Sequence, residues 1–167
     1  MSLQDKMLHY RDELQKGDIQ AAYKSLMEYM LSLKAGLKKR HPDYGVSSTF
    51  YFGYMDMSYF ALAPEELNRL GLKIAIVFLH KEFRFEFWLA AANKDIQKKY
   101  WQVIKESGWD AYHLVPDLKN SDSILENIAA DQPDFDDPQA LTGQIESRLS
   151  TFINDIQGFF GYSPITG

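Results

Sequence analysis

The chain of 167 residues has no cysteine. That excludes a disulfide framework, thiolate catalysis and Cys-ligated zinc or iron–sulfur centres. It fits a reducing compartment. No apolar run reaches the roughly 18 residues that mark a membrane-spanning helix. The opening stretch MSLQDKMLHYRDELQKGD is mixed in charge and lacks a signal-peptide core. A cytoplasmic protein with no membrane partner is therefore expected. Positive charge is also scarce: 18 Lys and Arg against 23 Asp and Glu give a net charge of −5. The one basic cluster is Lys38-Lys39-Arg40. Without a basic stripe, nonspecific nucleic-acid binding is not expected.

Catalytic signatures are missing too. There is no phosphate-cradling Walker loop, no G-x-G-x-x-G after a strand, no G-x-S-x-G and no H-E-x-x-H. The four histidines, His9, His41, His80 and His113, are too far apart in sequence to give local metal-ligand spacing. The sequence names no metal site and no cofactor. It contains no internal repeat and no low-complexity segment.

What is present is core material. Of the chain, 46% is hydrophobic and 14% aromatic. A globule of this length can bury about 70% of the surface its unfolded chain exposes. One α+β domain over residues 1–162 is expected, with a frayed tail at 163–167. A first helix over 4–15 uses Met7, Leu8 and Leu14 as contacts and stops at Gly17. A second runs from a cap at Asp18 to about Lys39. Its stripe is Ile19, Ala22, Tyr23, Leu26, Met30, Leu33 and Leu37, and Met27 and Leu31 widen it to two packed sides.

The β-branched and aromatic run from Val46 reads as two strands, or one bent at Gly53. A short helix follows Pro64. LKIAIVFLH-KE-FRFEFWLAA reads as a hairpin turning at Lys81-Glu82. Phe78 then pairs with Phe85, Ile76 with Phe87 and Ile74 with Leu89 on an apolar face. The opposite face sets Leu79 against Arg84, Val77 against Glu86 and Ala75 against Trp88.

Asn93 caps a helix to Ser107, with Ile96, Tyr100, Val103 and Ile104 inward. A strand at 112–115, a helix from Asp122 or Ser123 to about Ala130 and a long helix from Asp137-Pro138 complete the chain. The sum is α+β: a mostly antiparallel sheet of about four to five strands covered by N- and C-terminal helices.

Arg84, Glu86 and Trp88 alternate on one strand and so share a face. A guanidinium and a carboxylate beside apolar cross-strand neighbours can recognise a polar ligand, or can simply pair with each other. Asp56, an acid inside the aromatic run FGYMDM, is a second candidate; its alternative is a turn acid beside Gly53. Asp56 and Glu86 also loosely resemble the metal-binding acids of the PD-(D/E)XK nuclease core. In that pattern carboxylates hold Mg²⁺ and a lysine helps activate water. The lysine position is Trp88 here, which departs from the pattern.

The stretches GDIQAAYKSLMEYMLSLK, YFGYMDMSYFALAPEEL, LKIAIVFLHKEFRFEFWLAAANKDIQKKYW and DQPDFDDP, taken together, resemble a small bacterial family of single-domain proteins of unknown function. The resemblance spans nearly the whole chain. It implies a bacterial cytoplasmic protein and brings no activity and no assigned residues. The leading expectation is a ligand-binding or interaction module, its pocket on the sheet face bearing Asp56, Arg84, Glu86 and Trp88, with a small molecule or a protein as partner. A small hydrolase, with or without a metal, and a homodimeric interaction domain remain the alternatives.

Overall fold

The computed structural model describes residues 1–161; the tail expected at 163–167 lies outside them. The chain divides into two compact units, Met1–Leu33 and the segment from Lys34 onward. The first holds α1 (Leu3–Lys16) and most of α2 (Asp18–Arg40). Ser2 and Asp5 form a capping box that ties down the start of α1, and Gly17 ends it in the left-handed region. Helix α1 buries no residue. Met7 and Leu8, expected as contacts, are exposed. On α2 the buried residues Met27, Met30, Leu33 and Leu37 recur at helical spacing. Leu31 is exposed, so the helix packs on one side and not on two.

The second unit contains one antiparallel sheet in the order β1-β2-β3-β5-β4. Its strands are β1 (Met57–Leu62), β2 (Leu72–Leu79), β3 (Arg84–Ala91), β4 (His113–Leu114) and β5 (Leu125–Asp131). Short α3 (Glu65–Arg69) joins β1 to β2, α4 (Lys94–Ser107) follows β3, and α5 (Pro138–Phe159) follows β5. Both β3 and β4 run antiparallel to β5, so they are parallel to each other with β5 inserted between them.

The hairpin register is the expected one: Ile74↔Leu89, Ile76↔Phe87 and Phe78↔Phe85 on one face, Ala75↔Trp88, Val77↔Glu86 and Leu79↔Arg84 on the other. The turn differs. Residues His80–Phe83 form it, with Phe83 at φ +53° and its N–H donated to Leu79. That longer loop keeps the parity of a two-residue turn, so every side chain stays on its expected face.

The apolar face is the core. Ile74, Ile76, Phe78, Phe85, Phe87 and Leu89 are almost wholly buried there, and Phe152 of α5 stacks on Phe87 at 5.7 Å. Leu141, Ile145, Leu149, Phe152 and Ile156 carry the buried stripe of α5. On α4 the buried set is Gln97, Tyr100 and Ile104; Val103 is exposed.

Two strand readings need correction. Within residues 46–63 only Met57–Leu62 is a strand; Val46 and Tyr51 make isolated bridges to Leu62 and Tyr59. Gly53 at φ +75° folds that segment back, and a Cβ there would meet the Met57 carbonyl at 2.0 Å. The larger miss is the helix expected from residue 122 or 123, which is strand β5. Strand β3 is buried on both faces, so its second edge needs a backbone partner. The pairing of Leu125–Asp131 with β3 supplies one. That requirement overrides the helix preference of ILENIAA.

Candidate functional site

The second sheet face carries the chemistry. Across its strands run the rows Ala61–Ala75–Trp88–Glu126 and Tyr59–Val77–Glu86–Ile128. Lys73 stands opposite Ala90 in the next row. Small side chains at Ala75 and Ala90 are therefore ringed by the large ones of Tyr59, Trp88 and Lys73. The outcome is a concavity of about 380 Å³, within the size range of small-molecule sites. Its floor is Ala75, Val77 and Ala90; its walls are Met57, Tyr59, Trp88 and the buried Gln97; its rim is Lys73, Asn93, Lys94 and Asp122. A second hollow of about 410 Å³ adjoins it, bounded by the 45–51 segment and sharing Tyr59 and Lys73.

Arg84, Glu86 and Trp88 share this face and hold one another. Arg84 Nε donates to Glu86 Oε2 at 2.6 Å, and Trp88 Nε1 donates to Glu86 Oε1 at 2.9 Å. Glu86 is only 3% exposed. A carboxylate buried this deeply requires such donors. Both of its oxygens are thus engaged within the strand, and the bond to Trp88 fixes the edge of the indole. Of the three residues only Trp88 lines the concavity.

Asp56 lies apart, exposed in the loop before β1. Its Oδ1 accepts the N–H of Tyr54 at 2.9 Å. Hydrogen bonds from the backbone of Tyr54 and Met57 hold its carboxyl below the usual range, assisted by the charge of His80. Its geometry is that of a turn acid beside Gly53. His80 is packed next to it, and burial pushes that imidazole below its ordinary value despite the nearby Asp56. The hydroxyl of buried Ser58 lies 2.9 Å from His80 Nε2 and donates to the Phe52 carbonyl at 2.5 Å. With the only hydroxyl hydrogen used on Phe52, the imidazole is the donor to Ser58. This Ser–His–Asp grouping fastens a loop and presents no activated nucleophile. Among the described residues no three His, Asp or Glu side chains come together in a way that could hold a metal.

Sequence reasoning missed Lys73, Ala75 and Ala90 as parts of a site. The signal was available in the hairpin register: Ala75 faces Trp88 directly, and Lys73 and Ala90 share the parity of that face.

No helix among the described residues is long and apolar enough to cross a membrane. No curated protein and no solved structure matches the chain. A family model does match, over residues 3–160, and the chain belongs to that family, described as Domain of unknown function (DUF7000).

Proposed function

We propose that this protein binds a small molecule in the concavity on the sheet face bearing Ala75 and Trp88. One observation carries the reading. Alanines on two adjacent strands open a hollow of about 380 Å³ bordered by the aromatic side chains of Tyr59 and Trp88, with a few polar side chains among its lining. An apolar floor with a few convergent polar groups is the usual composition of a ligand site. The bonded Arg84–Glu86–Trp88 set supports it, because a wall held in place before binding loses less freedom on binding.

A thermal-shift panel of aromatic acids, nucleotides and small anions tests this on wild type and Ala75→Leu. A ligand that binds only the folded state raises the melting temperature with concentration. At least one compound is expected to raise it in the wild type and not in Ala75→Leu, where the larger side chain fills the floor. A rise of equal size in both proteins would move binding elsewhere, and no rise with any compound would end the reading.

A further inference from the structure

We propose that the ligand is a planar apolar molecule carrying one negative charge, in chemical class an aryl carboxylate. Its ring lies between Tyr59 and Trp88 and its anion meets Lys73. This rests on the small-molecule reading above. The groups of the site that have no partner point to it.

Most polar groups at the site already have partners. Asn93 Oδ1 accepts the Ile96 N–H as the cap of α4. Gln97 Nε2 donates to the carbonyls of Ser121 and Ser123. Lys94 donates to the Ser121 carbonyl and stands 4.0 Å from Asp122. On the same face Arg84 is committed to Glu86. Lys73 forms no hydrogen bond or ion pair with a described side chain, and it borders both hollows. One free cation above an apolar floor calls for one anionic group on a ligand that is otherwise apolar.

The walls set the shape. Tyr59 is on β1 and Trp88 on β3, with β2 between them. They stand in adjacent rows of the face, so two strand spacings sideways and a two-residue step along the strands separate their roots by about 12 Å. That leaves width for a planar group, and aromatic faces favour stacking on it. The indole N–H is already donated to Glu86, so Trp88 offers its ring and no further hydrogen bond.

Calorimetric titration at low ionic strength, where an exposed lysine is least screened, provides the test. The probes are 2-naphthoate, its neutral analogue 2-naphthalenemethanol and inorganic phosphate. The proteins are wild type, Lys73→Gln and Ala75→Leu. Wild type is expected to bind the acid about ten-fold more tightly than the alcohol, the scale of one charge-assisted hydrogen bond. Lys73→Gln should erase that difference while leaving the alcohol unchanged, and Ala75→Leu should weaken both. Equal binding of acid and alcohol, unaffected by Lys73→Gln, would overturn the anionic class and leave the cavity reading standing. Phosphate bound as tightly as the acid would overturn the planar requirement. Failure of all three probes to bind wild type would overturn the proposed class outright, and the broader panel on Ala75→Leu then decides the cavity reading separately.

Discussion

At the scale of single residues, Glu86 shows how a charge is kept inside a sheet face. Its carboxylate has two donors, and both stand on its own strand two positions away. Removing Arg84 would leave a buried oxygen short of a partner. Removing Glu86 would instead release an arginine whose side chain is already 34% exposed and can turn to water. Arg84→Ala is therefore expected to lower stability by about 1–3 kcal/mol, read as a drop in the urea midpoint at unchanged slope. An unmoved midpoint would mean that the pair adds nothing to the fold. Sharing of a face by Arg84, Glu86 and Trp88 was legible in the sequence, because alternation along a strand is fixed by backbone geometry. Which of them faces a cavity was not legible. That depends on the small residues of the neighbouring strand and on the indole bond to Glu86, which alternation cannot reveal. The surroundings of Asp56 were equally hidden, since a loop has no period to read.

At the scale of elements, the hairpin and α5 were legible for one physical reason: each must hide a continuous apolar surface, and the spacing of that surface gives its period. The pairing Ile76↔Phe87 follows from it. Strand β5 was not legible because its need is set by another strand. Its own residues, rich in Ala, Leu and Glu, favour a helix, and only the open edge of β3 decides otherwise. Helix α5 also carries an avoidable weakness. Gly143 lies in its first half, exposed, and a Cβ there would meet nothing within 4 Å. Gly143→Ala is expected to stabilise the protein by about 0.5–1 kcal/mol, seen as a higher melting temperature. A lower one would show that α5 depends on flexibility at this point.

At the scale of the whole molecule, burial is unevenly spread. Strands β2 and β3 each bury more than half of their own residues, whereas α1 buries none. Protection from hydrogen exchange follows burial and cooperative packing, and an isolated helix the length of α1 is marginal in water. Backbone amides of β2 and β3 are expected to exchange slowest and those of α1 fastest, by mass spectrometry or NMR. Protection of α1 equal to that of β3 would point to a contact that covers the helix in solution. The strand order has a bearing on synthesis as well. Because β5 lies between β3 and β4, a ribosome releases β4 before the strand it pairs with has been made. The β2–β3 hairpin meanwhile keeps one bare edge until Asp131 has emerged. During translation the nascent sheet is thus open at its middle, and it closes on the strand that leads directly into the last helix.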